Sequence, residues 1–190
     1  GKGSTIEFLK NFLLSAGYNI GTYTSPHLLE FNERIKINET SIEDNRIIES
    51  FKRINNLKKK TRLTYFDYAT LAAFDIFSEE ELDFAILEIG IGGKYDPVNL
   101  INSDLSIITN IELDHEKWLG SSLEDIGDQK AAILKKGKLA ILGSDEMPNS
   151  VTTKATEICS SHYQLNKDFF IQENKTHCSY SFSEKKCNLD

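Results

Sequence analysis

Three stretches of this chain are apolar almost without interruption and each has the length of a strand: "FAILEIG" at 84–90, "LSIITNI" at 105–111 and "KLAILG" at 138–143. A strand with one wet face alternates apolar and polar residues. A continuous run belongs to a strand covered on both faces, the usual state of a central strand in a parallel sheet. Parallel neighbours require long crossovers, normally helical. The chain supplies them. "SLEDIGDQKAAILKK" at 122–136 lies between the second and third runs and opens with Ser122 and Asp125 at capping spacing. "YFDYATLAAFDIF" at 65–77, apolar nearly all round, reads as a buried helix ahead of the first run.

The rest of the chain fits the same alternation. Near the start, Ile6, Leu9, Leu13 and Ala16 recur at helical spacing, and Gly17 stands where a C-cap glycine belongs. "NIGTYT" reads as a strand stopped by Pro26. "FNERIKINETSIED" is polar and reads as turn. A further helix is expected from Ser41, capped with Asp44, burying Ile47, Ile48, Phe51, Ile54 and Leu57, with Lys58, Lys59 and Lys60 at the negative end of its dipole. The last stretch, "FFIQENKTHCSYSFSEKKCNLD", alternates like a β-hairpin. With no internal repeat or low-complexity linker, the expectation is one α/β domain: an open, mostly parallel sheet with helices on both faces and a C-terminal hairpin.

Composition narrows the partners. A net charge of -7 argues against a general nucleic-acid or anionic-membrane binder, both of which need a basic surface. No apolar run reaches the roughly 20 residues that span a bilayer, and the start has no signal-peptide pattern. The first residue is not Met, so an upstream segment is possible. Cys159, Cys178 and Cys187 lack C-x-x-C spacing and read as free thiols of a reducing cytoplasm.

Against that frame a few residues stand out. The opening "GKGST" is the second half of a phosphate-binding loop, in which backbone N–H groups and a lysine hold phosphates and a hydroxyl lies close to Mg²⁺. Gly1, Lys2, Gly3 and Ser4 or Thr5 could supply it. Ligands in open α/β sheets bind beyond the carboxyl ends of the strands. There the sequence sets Ser25 after "GTYT", Glu88 in "LEIG" and His115 in "LDH". A buried, unpaired Glu88 would be costly, and a cation or a salt bridge would relieve it. Lys130 falls on the apolar stripe of its helix with Leu123, Ile126, Ile133 and Leu134, so it must be paired, snorkelling, neutral or chemically modified.

Six blocks, "GKGST", "YTSPHLLEFNERI", "LTYFDYAT", "LEIGIGGKYDPVN", "ITNIELDHEKWLG" and "IGDQKAAILKKG", together resemble, in order, the bifunctional dihydrofolate synthase/folylpolyglutamate synthase family of the Mur ligase superfamily. The resemblance implies a P-loop-type central domain, begun inside the loop G-T-x-G-K-G-[ST] and lacking the C-terminal ligase domain, so that residues 1–190 form an internal piece of a longer enzyme. It implies an ATP-dependent ligase that joins L-glutamate to dihydropteroate or folates through an acyl phosphate. The implied enzyme is a cytoplasmic monomer at full length and takes only small-molecule substrates.

Carried over by position, Lys2 with Gly1, Gly3 and Ser4 would hold the ATP phosphates. Ser25, Glu88 and His115 would bind one or two Mg²⁺ ions, and Lys130 would be carbamylated; Lys2, His115 and Lys130 would be the catalytic set. Thr64, Tyr65, Phe66 and Asp67, with Tyr95, Asp96 and Pro97, would meet the pterin. Where many relatives read "GGRLDATN", this chain has "GGKYDPVN", so Lys94, Tyr95 and Pro97 depart from the pattern. Another amino-acid ligase of the superfamily, or a nucleotide-binding module without catalysis, are the competing readings.

Overall fold

The computed structural model describes residues 1–113, 120–173 and 178–183. They fall into two compact units, Gly1–Ile91 with Asp96–Leu100, and Gly92–Tyr95 with Ile101–Asp190.

The first unit opens with helix α1 (Lys2–Ser15), which ends as expected at Gly17. That glycine takes φ 88°, and the Gly17 and Tyr18 amides close back on the carbonyls of Leu14 and Leu13. The buried face is narrower than the sequence implies. Ile6 is inside, but the next buried residue is Lys10, whose ammonium lies 2.5 Å from a Glu7 carboxylate oxygen. Leu9 and Leu13 are half-buried, and Ala16 is exposed.

Strand β1 (Ile20–Tyr23) is buried along its length. It pairs antiparallel with β2 (Ile35–Ile37), which pairs with β3 (Thr40–Ser41), and on its other side runs parallel to β4 (Phe84–Leu87). The ribbon β2–β3 occupies the stretch read as turn. Its signal, Ile35 and Ile37 around Lys36, is only three residues long. Ile35 is nevertheless fully buried, because β2 lies directly against β1.

Because Ser41 is committed to β3, helix α2 (Asp44–Leu57) starts later than expected, after Glu43. Ile47, Ser50 and Ile54 form its buried stripe, while Ile48 and Leu57 are 47% and 79% exposed. The inner face is thus rotated from the predicted one. Helix α3 (Tyr65–Phe77) follows the sequence reading, and its Ala69, Ala72 and Ala73 allow close approach to the sheet. Gly21 of β1 meets it: a Cβ there would lie 2.9 Å from the Phe77 ring. Tyr23, Ile35, Ile42, Ile47, Ile54, Ile76 and the alanines of α3 make one continuous core.

β4 is the edge of its sheet, so Phe84 and Ala85 are exposed, and the double-sided cover predicted for this run is only partial among the described residues. In the second unit, β5 (Leu105–Ile108), β6 (Leu139–Leu142) and β7 (Ser161–Gln164) form a parallel sheet in that order. Helix α4 (Leu123–Ala131) starts from Ser122, whose hydroxyl accepts the Asp125 amide. It stops before Ile133 and Leu134. Helix α5 (Asn149–Ile158) is capped from outside, since the Glu124 carboxylate accepts the amides of Asn149 and Ser150. β8 (Phe169–Glu173) and β9 (Cys178–Phe182) make the expected hairpin. Cys159 is a free thiol; the Cys178 side chain and Cys187 lie outside the described residues. No described helix is long and apolar enough to cross a membrane.

The difference between predicted and observed helix faces is measurable. Ile76→Ala empties a fully buried site and is expected to cost about 2–5 kcal/mol. Leu57→Ala should stay within about 0.5 kcal/mol in urea unfolding, although the periodicity made it a core residue.

Candidate active site

β1 and β4 run parallel with Tyr23 opposite Leu87, so the chain leaves both strands at the same level. Two of the residues picked from the sequence therefore meet. The Ser25 amide donates to Oε2 of Glu88 at 3.0 Å. Glu88 is 7% exposed, and its other oxygen lies 3.9 Å from the Lys2 ammonium. The buried carboxylate is thus salt-bridged and hydrogen-bonded, which removes most of the cost of its burial. Among the described residues the Ser25 hydroxyl makes no hydrogen bond.

Lys2 comes from the first turn of α1 and reaches across to the segment after β4, donating to the carbonyls of Ile89 (2.5 Å) and Gly90 (3.0 Å). The amides that open α1 have no side-chain cap. An uncapped helix start beside a lysine favours an anion. Of the two hydroxyls, that of Thr5 donates to the Gly1 carbonyl at 3.0 Å.

Asp96 closes the other side of this segment. Its Oδ2 accepts the amides of Gly90 and Ile91, and its Oδ1 accepts that of Val98. Burial pushes its carboxyl above the ordinary 3.8, against the opposing pull of those three amides and of Lys2. Phe66 completes the wall, packed so closely that a Cβ on Gly90 would lie 2.7 Å from its ring. Phe66 also faces the Tyr23 ring at 6.2 Å. The structure thereby brings together Lys2, Ser25, Glu88, Phe66 and Asp96.

The neighbouring candidates have local duties. Thr64 and Asp67 cap α3 reciprocally, with the Asp67 amide on the Thr64 hydroxyl and the Thr64 amide on the Asp67 carboxylate. Tyr65 is 60% exposed and lies over the Arg34 guanidinium at 5.5 Å. Pro97 opens the 3-10 turn Pro97–Leu100.

Lys130 and Tyr95 belong to the second unit. Lys130 is half-buried in the last turn of α4, and the helix ends one residue later, so Ile133 and Leu134 no longer share its stripe. Tyr95 is 83% exposed beneath the Lys94 ammonium. Gly93 is required where it stands: at φ 157° a Cβ would lie 2.7 Å from the Gln129 carbonyl. His115 lies outside the described residues.

Two residues that the sequence did not single out organise this region. The Glu33 carboxylate accepts the amides of Leu28, Leu29 and Glu30, which hold its carboxyl down at about 2. Arg34 is buried and donates from Nε to His27 Nδ1. The available signal was the spacing of Glu33 three residues after Glu30, the reach of a capping box.

An α/β sheet with an uncapped helix start beside a lysine, and a buried acid and a serine at adjoining strand ends, is an arrangement suited to an anion such as a phosphate. The chain belongs to the Mur ligase middle domain family, which it matches over residues 1–188. It is 43% identical over 175 residues to the dihydrofolate synthase/folylpolyglutamate synthase of Buchnera aphidicola subsp. Schizaphis graminum, covering 92% of this chain and 42% of that protein. The counterpart from Escherichia coli K12 is 40% identical over 157 residues, covering 83% and 37%. Among solved structures it is similar to E. coli FolC in complex with DHPP and ADP, with TM-score 0.93, 35% identity and coverage of 96% and 44%. A bifunctional folylpolyglutamate synthase/dihydrofolate synthase with Mn, AMPPNP and L-glutamate bound gives TM-score 0.90 at 36% identity, covering 97% and 45%. The chain spans less than half the length of these relatives.

The two loop carboxylates have opposite acid responses. Glu33, lowered to about 2 from 4.5, contributes stability above pH 4.5 that is lost as pH falls toward 2. Asp96, raised above 3.8, holds its proton more tightly in the fold, so its contribution falls as pH rises through its folded value. In urea unfolding between pH 2 and 5, Glu33→Gln is expected to flatten the acid loss, whereas Asp96→Asn removes the opposing slope.

Proposed function

We propose that this chain is the nucleotide-binding part of a longer ATP-dependent carbon-nitrogen ligase that joins L-glutamate to dihydropteroate or to folates. The observation that carries the reading is the meeting of Lys2, Glu88 and Ser25 beside Phe66 and Asp96, in a chain whose relatives are named for this activity. ATP phosphorylates the pterin-bearing carboxylate, and the glutamate amine displaces phosphate from the acyl phosphate to leave an amide. The work of the protein in such a transfer is positioning and charge neutralisation.

In this reading Lys2 leaves the Gly90 carbonyl for the terminal phosphates, while Gly1, Gly3 and Ser4 supply N–H groups and a hydroxyl. Ser25 and Glu88 are hard oxygen donors of the kind Mg²⁺ prefers, and with His115 they would hold one or two such ions. The ion supplies charge neutralisation at the transferred phosphoryl group. Lys130 would take up CO₂ and release a proton to become a carbamate, an anion that can ligate a cation. The choice between substrates would rest with Phe66 and Asp96, with Thr64, Tyr65, Asp67, Tyr95 and Pro97 as the further residues that the resemblance assigns to the pterin. Aromatic faces suit a flat pterin, and Asp96 has one lone-pair direction left for a ring N–H after its three amides. The enzyme would act as a cytoplasmic monomer.

The full-length enzyme is expected to turn over ATP with dihydropteroate and glutamate. Turnover with a UDP-linked muropeptide and none with dihydropteroate would reject the folate assignment. Lys2→Met should lower turnover by about 100-fold or more, as loss of a transition-state donor does. Lys130→Ala should abolish the response to bicarbonate along with activity; a variant as active as the parent would remove Lys130 from the site.

A further inference from the structure

Ser25 sits in a segment whose neighbours are tied down one by one. Immediately before it, the Thr24 amide donates to the Arg34 carbonyl at 2.9 Å. Two residues after it, the His27 ring accepts from Nε of the same arginine at 2.8 Å. Leu28, Leu29 and Glu30 then give their amides to the Glu33 carboxylate at 2.7–2.8 Å. A carboxylate receiving three amides forms charge-assisted bonds, roughly twice as strong as neutral ones.

Arg34 is itself fixed. It is 7% exposed, and its guanidinium lies 5.8 Å from the Phe31 ring centre and 5.5 Å from that of Tyr65. No carboxylate pairs with it among the described residues, and its Nε donates to the loop rather than to a counter-ion. Leu28 and Leu29 meanwhile stand about nine-tenths exposed, so apolar burial does not hold this segment in place.

We propose that Glu33 and Arg34 are positioning residues: together they clamp residues 24–30 so that Ser25 is held beside Glu88 with its hydroxyl uncommitted and available to a magnesium-bound nucleotide. The assignment rests on the nucleotide-binding reading above, but not on the identity of the acceptor substrate. In this assignment both residues act through the loop, by the bonds of Glu33 to its amides and of Arg34 to His27. Their effect is to spare the site the entropy of ordering this segment when a ligand arrives.

Backbone amide exchange in the full-length protein reads the clamp without reference to activity. The amides of Leu28, Leu29 and Glu30 are expected to be protected, and Glu33→Gln to speed their exchange by about tenfold or more. Calorimetric titration with ADP at stepped Mg²⁺ concentrations reads its consequence. Glu33→Gln, and Arg34→Lys, which keeps the charge but loses the Nε donor, should each raise the Mg²⁺ concentration for half-maximal binding several-fold, titrated at a temperature where circular dichroism shows each variant folded. Should Arg34→Lys unfold, the half-buried Glu33 carries the test alone. Unprotected amides in the parent protein, or faster exchange with an unchanged Mg²⁺ requirement, overturns the proposal. Intact Mg²⁺-dependent ADP binding in a protein that forms no glutamyl amide would instead reject the ligase reading and leave the clamp standing.

Discussion

The parallel register of β1 on β4 is the constraint on which the first unit depends. Four paired residues, Ile20 to Tyr23 against Phe84 to Leu87, bring two chain segments 60 residues apart to a common level. Had the two strands slipped by one residue, Glu88 would have exchanged faces with its neighbour, because side chains alternate along a strand. The burial of Tyr23 and the close fit of Gly21 under Phe77 oppose that slip. The polar meeting of Ser25 and Glu88 is thus fixed by apolar packing behind it.

Beyond the strand ends, order is supplied by carboxylates. Asp96, Asp67, Glu33 and Glu124 each accept backbone amides from a loop or a helix start. Loops carry unpaired donors that must be satisfied somewhere, and an ionised side chain satisfies two or three at once. This accounts for Glu33 and Glu124, which are neither surface decoration nor chemistry. It also separates Asp96, whose burial works against its charge, from Glu33, whose solvent access lets the amides dominate.

What the sequence made legible follows from the same physics. Long, uniform patterns were assigned to the right elements: the apolar runs at 84, 105 and 138 as strands, though with less cover than expected at 84, the buried helix at 65–77 and the C-terminal hairpin. Ser25 and Glu88 were singled out by their places at strand ends, and they meet because β1 and β4 run parallel in register. The ribbon β2–β3 was missed because three residues carry too little period to distinguish strand from turn. The faces of α1 and α2 were misjudged where Lys10 and Ser50 took buried positions that apolar residues were expected to hold. Glu33 left only a faint signal, its capping-box spacing to Glu30, and the tie of Arg34 to a histidine ring is encoded by no residue spacing. Thr64 and Asp67 did carry a capping signature, but it was absorbed into the substrate reading.

Gly90 has one further implication. Its nitrogen is held by Asp96 and its oxygen by Lys2, and its missing side chain leaves room for the Phe66 ring. A single residue is therefore the common anchor of the cation that opens the first helix and of the acid that closes the β4 loop. Neither can be displaced without pulling on the other's attachment, and a methyl group at this one carbon would disturb both together with the ring stacked against it.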